Sequence, residues 1–295
     1  MNPPLTTLFC AGAVKAGTSW LYEYLRGHPE TYLRSIKEMQ FFNKLDEGAL
    51  GGRLRRMQKE IAGMERDIES GKARFPELVL QQIADRVEYC RVLSAADPVA
   101  SYLRYLTEGA AGKRLVGEMT PEYGLLPVAR MRDLQGLSTD VRWVFVMRDP
   151  VERFWSHVRM LVKRAAVAPE SFAAACVAKF DDVLAGRAPD VTQRGDYAAI
   201  HARLVQAVPA NNRLVTTYEG LITPQGVALV TRFLGLSDHP APLHKRVHVG
   251  TPVDMPDTLR QRAREWLRPQ YAFVAATFGL PQDWESFPEF GSEVA

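Results

Sequence analysis

The segment Leu8–Leu21, read LFCAGAVKAGTSWL, constrains the fold more than any other part of the chain. A short apolar run, a glycine-containing turn and residues suited to a helix follow one another, which predicts a strand, a loop and a helix N-terminus. A helix N-terminus offers unpaired N–H groups and the positive end of the helix dipole. Thr18 and Ser19 add hydroxyl groups, and Lys15 adds a positive charge. The segment therefore predicts a pocket for a phosphate-like anion.

The spacing of the loop residues narrows the choice of anion. The loop fits the G-x-x-x-x-G-K-[ST] pattern of ATP- and GTP-binding proteins at Gly12, Gly17 and Ser19, but Thr18 occupies the lysine position. The lysine lies inside the loop instead, as Lys15. Because nucleotide triphosphatases contact the β- and γ-phosphates through that lysine, the pattern favours a phosphate-like group other than ATP. A strand–turn–helix corner with an incidental lysine is the alternative that this segment alone leaves open.

A second strand, turn and helix follow later in the chain. Val141–Met147 is an apolar, β-prone run that predicts a buried parallel strand. Asp149 and Pro150 suit the cap and the first position of a helix. Arg148 thus stands at the carboxyl end of a strand, where open α/β sheets bind ligands, and Ser156 lies on the helix that follows. The segment predicts a second anion contact, and an ion pair between Arg148 and a surface carboxylate is the alternative.

Both segments resemble the donor-binding motifs of the sulfotransferases. Lys15–Leu21 (KAGTSWL) is similar to their 5′-phosphosulfate loop, and Arg148–Ser156 (RDPVERFWS) is similar to their 3′-phosphate motif, R-x-P-x-x-R-x-x-S. The resemblance implies the co-substrate 3′-phosphoadenosine-5′-phosphosulfate (PAPS) and a reaction that requires no metal ion. The donor-binding residues that it implies are Lys15, Ala16, Gly17, Thr18, Ser19, Trp20, Arg148 and Ser156.

A third segment indicates a branch of the family. Lys37–Asn43 (KEMQFFN) resembles the K-E-x-x-F-F run of the heparan-sulfate-type and related bacterial carbohydrate sulfotransferases. The glutamate is the general base in that branch, which implies this role for Glu38, and Lys15 is then expected to neutralise charge on the leaving phosphate oxygen. Without the flanking motifs, an exposed carboxylate beside Lys37 is the alternative for Glu38.

Two further matches are partial. Gly117–Tyr123 resembles the G-E-K-[ST]-P-x-Y segment of the same branch, but Met119 replaces the lysine. Either another cation substitutes for that lysine, or the acceptor lacks the anionic group that the lysine would meet. The C-terminal loop expected over the 3′-phosphate and adenine has no clear match. His244 precedes Lys245 and Arg246 at about the right place, so these two cations are candidate donor contacts.

Composition limits the functional classes. The 295 residues are 46% hydrophobic and carry a formal net charge of +3, which suits one α/β domain with a substantial core. This mild charge does not indicate nucleic-acid binding, which needs a concentrated basic face. Three widely spaced cysteines suggest reduced thiols without a metal site. No segment has the length and apolarity of a membrane span or the features of a secretion signal, so we expect a cytoplasmic protein.

Strands alternate with helices along the chain, which predicts a single sulfotransferase domain over residues 1–295. Its parallel sheet is expected to be central, with helices on both faces. An insertion over about residues 48–95 interrupts this pattern and predicts a helical hairpin with two apolar stripes. Packing on the domain body, bordering the acceptor cleft and forming a homodimer contact are the interpretations left open. The stripes comprise Leu54, Met57, Ile61, Met64 and Ile68, then Leu80, Ile83, Val87 and Cys90.

Together these patterns predict a sulfotransferase that moves the sulfuryl group of PAPS to a hydroxyl, and less readily to an amine, of a carbohydrate or small metabolite. A phosphotransferase or nucleotide hydrolase on the same loop is the first alternative. It predicts magnesium-dependent binding of ATP or GTP, against which the missing loop lysine counts. A non-catalytic nucleotide-binding protein is the second alternative, and the presence of Glu38 argues against it.

Overall fold

The computed structural model describes residues 5–245, 247 and 250–284, and it confirms the prediction of an α/β fold with a central parallel sheet. Five strands lie in the order β2-β3-β1-β4-β5, and all neighbouring strands pair in parallel. The strands are β1 (Thr6–Cys10), β2 (Thr31–Leu33), β3 (Leu115–Glu118), β4 (Val141–Met147) and β5 (Arg213–Thr217).

Helices connect the strands in the described part of the chain, with short 3₁₀ turns at Pro121–Leu125, Pro169–Ser171 and Ala210–Asn212. None of these helices combines the length and the apolarity needed to traverse a lipid bilayer. The helices are α1 (Thr18–Gly27), α2 (Phe41–Asp46), α3 (Leu50–Glu69), α4 (Pro76–Leu93), α5 (Pro98–Thr107), α6 (Val128–Gln135), α7 (Pro150–Arg164), α8 (Phe172–Leu184), α9 (Pro189–Gln193), α10 (Tyr197–Ala207), α11 (Tyr218–Leu221), α12 (Pro224–Leu234), α13 (Asp257–Trp266) and α14 (Arg268–Phe278).

The three inner strands are buried on both faces. Every residue of β1 and β3 is buried, and in β4 only Arg142 is partly exposed. Continuous apolar strands of this kind are typical of a parallel sheet that helices cover on both sides. Aromatic rings fill the space against the sheet, and the rings of Phe9 and Trp143 lie 5.2 Å apart. The core thus forms a rigid base beneath the carboxyl ends of the strands.

The strand order creates a crevice beside β1. After β1 the chain runs through α1 to β2 on one side of the sheet, whereas β4 pairs with β1 on the other side. Connections that leave neighbouring parallel strands in opposite directions open a gap at their carboxyl ends, where ligands bind in α/β proteins. The loops after β1 and β4, which carry the two predicted anion contacts, therefore meet at this crevice.

The predicted insertion forms a helical hairpin of α3 and α4. In the stripe predicted on α3, Met57 is fully buried and the other four residues are half-buried. The stripe predicted on α4 is wrong in part, because Leu80 is 54% exposed and Val87 is 37% exposed. Of the predicted stripe only Ile83 is buried, and the other buried residues of α4 are Tyr89, Val92 and Leu93. Tyr89 faces the domain because its hydroxyl donates a hydrogen bond to the carbonyl of Met39, 3.1 Å away.

Candidate active site

A cleft of about 670 Å³ opens at the carboxyl edge of the sheet. Its walls come from the loop after β1, the segment between β2 and α2, the second half of α7, and the hairpin. The cleft brings together residues that are far apart in the sequence, as expected for a site at the strand ends. The predicted site residues that line it are Lys15, Gly17, Thr18, Ser19, Trp20, Glu38, Arg148 and Ser156.

Two predicted donor contacts do not line the cleft, and a third falls outside the part of the chain that the structure describes. Ala16 is fully buried beneath the loop, and its side chain does not line the cleft. Lys245 is exposed and also does not line the cleft, and Arg246 lies outside the described residues. The stretch that contains Lys245 does reach the cleft, because Val247 and Gly250 form part of its wall.

Hydrogen bonds to neighbouring elements hold the loop after β1 in place. The N–H of Ala13 donates to the carbonyl of Val146 at 2.7 Å, and the N–H of Val146 donates to the carbonyl of Gly12 at 2.8 Å. The buried guanidinium of Arg153, on α7, donates to the carbonyl of Val14 at 3.4 Å. The loop is therefore anchored to β4 and α7, the two elements that frame the second predicted anion contact.

Helix α1 begins with an open N-terminus at the cleft. Gly17 occupies the N-cap with φ 87°, no side chain caps the helix, and no acidic residue lies in its first turn. The ring of Tyr218 packs directly on this glycine, since a Cβ atom there would lie 2.1 Å from Cδ2 of the ring. Glycine is thus required for both the backbone angle and the contact. The N–H groups around Thr18 and Ser19 are available to an anion.

Lys15 lies among other cations. Its ammonium group makes no ion pair with any carboxylate in the described residues. Burial, followed by the charges of Arg148, Lys37, Arg164 and Arg159, lowers the pKa of Lys15 below its ordinary value. An anion bound in the cleft would offset this repulsion, so the loop favours a negatively charged ligand.

Helix α7 begins as the sequence predicts. Asp149 is its N-cap, and Oδ1 accepts hydrogen bonds from the N–H groups of Val151 at 2.9 Å and Glu152 at 3.1 Å. The hydroxyl of Tyr271 donates to the same oxygen at 2.9 Å. This carboxylate therefore serves to cap the helix. No cluster of three or more His, Cys, Asp or Glu side chains suited to a metal ion occurs within the described ranges.

Arg148 is held at the cleft wall by an aromatic ring. Its guanidinium lies 5.4 Å from the centroid of Tyr218, and its carboxylate partner Glu152 is 3.8 Å away. Glu152 makes its shorter contact, of 2.8 Å, with Arg260. A partly exposed ion pair at this distance contributes little, so the surface ion pair does not account for the position of Arg148. The stacked guanidinium remains available to an anion.

Glu38 projects into the cleft from the segment between β2 and α2. Its carboxylate is 31% exposed, and Oε1 lies 3.5 Å from Nζ of Lys37. Glu38 therefore does contact Lys37, as the alternative interpretation expects. The same carboxylate nevertheless lines the cleft with the loop after β1. It is placed to accept a proton from a ligand bound there.

The cleft concentrates positive charge. Among the residues that the structure describes, eleven basic and four acidic side chains line it, although the net charge of the whole chain is only +3. Met119 is buried and does not line the cleft, so the cations that do line it favour the interpretation that another cation substitutes for the lysine. The basic residues are Lys15, Arg26, Lys37, Arg53, Arg56, Arg86, Arg148, Arg159, Lys163, Arg164 and Arg194.

The structure adds a histidine that the sequence analysis missed. His157 lines the cleft, is fully buried, and neither ring nitrogen has a hydrogen-bond partner in the described residues. Burial first, and then the charges of Arg153, Arg194, Lys15 and other cations, lower the pKa of His157 to about 2. The imidazole is therefore neutral. Its position one residue after Ser156 in the motif was the only signal in the sequence.

A second missed feature is a polar network on the cleft floor. Arg194 pairs with Glu122 at 2.6 Å, and the side-chain amide of Gln40 donates to the other oxygen of Glu122 at 2.8 Å. All three side chains line the cleft. The network joins the start of α2 to the end of α9, and no local sequence pattern indicates this pairing.

Comparison with known proteins identifies the fold. No protein-family model matches the chain, and no curated protein sequence matches it. A solved sulfotransferase from Alicyclobacillus acidocaldarius superposes with a TM-score of 0.61 at 21% identity, over 94% of this chain and 95% of that one. The chain therefore has the fold of a known sulfotransferase.

Two solved sulfotransferase domains also align. One belongs to the Synechococcus PCC 7002 olefin synthase, with a TM-score of 0.46 at 17% identity over 90% of this chain and 88% of that one. The other belongs to the curacin biosynthetic pathway, with a TM-score of 0.48 at 16% identity over 81% and 77%. These TM-scores are too low to support a conclusion.

Proposed function

We propose that this protein is a sulfotransferase that transfers the sulfuryl group of PAPS to a hydroxyl, and less readily to an amine, of a carbohydrate or small metabolite. The observation that carries the proposal is that both predicted phosphate-binding segments and Glu38 line one strongly basic cleft. The fold shared with a solved sulfotransferase supports the same reaction class.

The donor is expected to lie across the carboxyl ends of β1 and β4. Its 5′-phosphosulfate rests on the open N-terminus of α1, where Lys15 and the first-turn N–H groups carry the positive charge. Its 3′-phosphate meets Arg148 and Ser156. Anchoring of the loop to β4 supports simultaneous binding at both ends, because the distance between the two anion contacts is then set by the rigid sheet.

In the proposed reaction, the acceptor oxygen attacks the sulfur atom while its proton passes to the carboxylate of Glu38. The bond between sulfur and the bridging oxygen of the 5′-phosphate breaks, and that oxygen keeps the electron pair. General-base catalysis of this kind contributes about 10²–10⁴-fold. Lys15 and the N–H groups of α1 stabilise the charge that develops on the leaving oxygen, which is worth about 3 kcal/mol per well-placed donor.

The surplus of positive charge indicates an acceptor with an anionic group. The donor brings roughly four negative charges, up to two on its 3′-phosphate and about one each on its 5′-phosphate and sulfuryl group, whereas the described part of the lining has eleven basic and four acidic side chains. Arg56 and Arg86, on the hairpin, flank Glu60 at the far wall, with contacts of 3.3 and 3.8 Å. We therefore expect an anionic sugar or metabolite to be sulfated faster than its neutral analogue.

Isothermal titration calorimetry tests the donor assignment. We expect the purified protein to bind adenosine 3′,5′-bisphosphate without magnesium and to bind ATP with magnesium much more weakly. The reverse preference would favour a phosphotransferase or nucleotide hydrolase. Mass spectrometry of acceptor pairs that differ only in a carboxylate, incubated with PAPS, tests the reaction. Bisphosphate binding with no product from any acceptor would favour a non-catalytic nucleotide-binding protein.

A further inference from the structure

The segment that carries Glu38 has no regular structure of its own. Residues 34–40 join β2 to α2 and belong to neither a helix nor a strand. Its backbone groups lack the regular hydrogen bonds of a sheet or helix, so other parts of the chain must supply them. The position of the Glu38 carboxylate in the cleft depends on those partners.

Two side chains of the hairpin bind the backbone at Glu38. Arg53, on α3, donates from Nη2 to the carbonyl of Glu38 at 2.6 Å and from Nε to the carbonyl of Met39 at 3.1 Å. Tyr89, on α4, donates its hydroxyl to the same carbonyl of Met39 at 3.1 Å. Both helices of the insertion thus converge on the backbone of the proposed base.

The hairpin also binds the beginning of this segment. Asp85, on α4, accepts hydrogen bonds from the N–H of Ser35 at 2.5 Å and from its hydroxyl at 2.7 Å. The guanidinium of Arg34 contacts Asp85 at 3.3 Å and Glu88 at 2.8 Å. The segment is therefore held by the insertion on both sides of Lys37.

The contacts of Arg53 are unusual for a charged side chain. It is 8% exposed, and it makes no ion pair with a carboxylate in the described residues. Burying a guanidinium is costly unless its donors are used, and here they are used on two backbone carbonyls. An apolar residue would pack α3 without that cost, so packing alone does not explain an arginine at this position.

We propose that the hairpin is part of the catalytic apparatus and that Arg53 is a positioning residue, which holds Glu38 in register with the donor loop. The proposal rests on the assignment of Glu38 as general base under the proposed function. Under this proposal, proton transfer depends on the insertion. Binding of the donor does not, because the donor loop is held by β4 and α7.

The test compares Arg53→Met with Arg55→Met, a matched change on an exposed arginine of the same helix that does not line the cleft. We expect Arg53→Met to lower kcat about 100-fold, the scale of a base displaced by about 1 Å. The dissociation constant of adenosine 3′,5′-bisphosphate should change less than about 2-fold, and Arg55→Met should match the wild type. Unchanged kcat in folded Arg53→Met would overturn the proposal.

A double mutant separates positioning from general destabilisation. If Arg53 acts through the carboxylate, then Arg53→Met should lower the residual turnover of Glu38→Gln less than about 3-fold. The same 100-fold loss in both backgrounds would show that Arg53 acts by another route. Tyr89→Phe, which removes one hydroxyl, provides a milder variant if Arg53→Met does not fold, and we expect its kcat to fall about 3–10-fold at unchanged bisphosphate affinity.

Failure of this inference is distinguishable from failure of the proposed function. A wild-type protein that neither binds adenosine 3′,5′-bisphosphate nor sulfates any acceptor would remove the proposed function. A wild-type protein that does both, with kcat insensitive to Arg53→Met and Tyr89→Phe, would remove only the role of the hairpin.

Discussion

The donor loop and the segment that carries Glu38 face each other across one cleft, but they are held in different ways. The donor loop lies between β1 and α1, the centre of the sheet and its first helix, and its backbone is bonded to β4. Residues 34–40 lie near the edge strand β2. The hairpin inserted after them binds the backbone at Ser35, Glu38 and Met39, whereas α1 and the segment after β3 bind the two ends of the segment, at Arg34 and Gln40.

This difference indicates how binding and catalysis are divided in the molecule. The predicted anion pocket is formed by the end of the central strand β1 and the N-terminus of α1, and a helix N-terminus favours anions by its free N–H groups and its dipole. The proposed base, Glu38, depends on tertiary contacts from the hairpin to its backbone and to that of Met39. Changes in the donor loop should therefore alter affinity and turnover together, whereas changes around Glu38 should alter turnover alone.

The largest expected effect is that of Glu38→Gln. Removing the proton acceptor while keeping the size of the side chain should lower kcat by about 10²–10⁴-fold. The affinity for adenosine 3′,5′-bisphosphate should stay within about 2-fold, because the amide can still occupy the same place. Steady-state kinetics and calorimetry measure the two quantities, and Glu65→Gln on the exposed side of α3 is the control. Wild-type turnover in Glu38→Gln would show that another group is the base.

Lys15→Ala should affect both properties. Loss of this cation should lower kcat by about 10²-fold, since it stabilises the leaving oxygen, and should weaken bisphosphate binding by about 10-fold. The pKa of Lys15 lies below the ordinary lysine value, so its ammonium group loses its proton at a lower pH than an ordinary lysine. The affinity for the donor should therefore begin to decline at a correspondingly lower alkaline pH. The exposed Lys72→Ala is the control. Reduced turnover with unchanged affinity and pH profile would place Lys15 outside the donor site.

Gly17→Ala tests the donor loop without removing a charge. The added methyl would lie 2.1 Å from the ring of Tyr218, and the alanine would have to adopt a φ of 87°, which side chains disfavour. We expect donor affinity to fall about 10-fold and the free energy of unfolding to fall by about 1 kcal/mol. Thermal unfolding and calorimetry measure these effects, with Gly27→Ala as control because a Cβ there meets nothing within 4 Å. Equal affinities of Gly17→Ala and the wild type would contradict the proposed contact.

His157 should produce a smaller effect, seen in stability. Its pKa is about 2 in the folded protein and near 6.5 when unfolded, so below pH ~6.5 the unfolded state binds the extra proton and folding weakens as pH falls. The loss should reach about 2 kcal/mol at pH ~5 relative to pH ~7.5. When the free energy of unfolding is measured by urea denaturation, the His157→Gln variant should lack this decrease at low pH. Identical pH dependence in both proteins would mean that His157 is not held neutral.

Much of the fold was predictable because it is locally specified. The bounds predicted for the strand Val141–Met147 agree with those observed, because a continuous apolar run followed by helix-capping residues strongly favours a buried strand. The exposed Leu80 and Val87 show the limit of this reasoning. Periodicity identifies a helix, but the face that it buries depends on which neighbour it meets, and in α4 that face includes Tyr89, which donates a hydrogen bond to the carbonyl of Met39.

The candidate site was predictable to a similar degree. Strand–turn–helix patterns indicated Lys15, Arg148 and Ser156, and the resemblance to a sulfotransferase motif indicated Glu38; the fold brings all four into one cleft. His157 and Arg53 were missed because their importance comes from burial and from partners distant in the chain. Arg53 in particular stands in a helix whose sequence indicates only an amphipathic surface, and its bond to Glu38 exists only once α3 is docked.

By itself, the sequence determined the chemistry that is local: a strand end, a glycine at the N-cap of α1, and a cation within a loop are properties of adjacent residues. Only the tertiary structure decided the rest, namely the meeting of the loops after β1 and β4, the surplus of positive charge in one cleft, and the anchoring of Glu38 by α3 and α4. The physical reason is that backbone angles and helix ends depend on neighbours along the chain, whereas burial, charge density and long-range hydrogen bonds depend on neighbours in space.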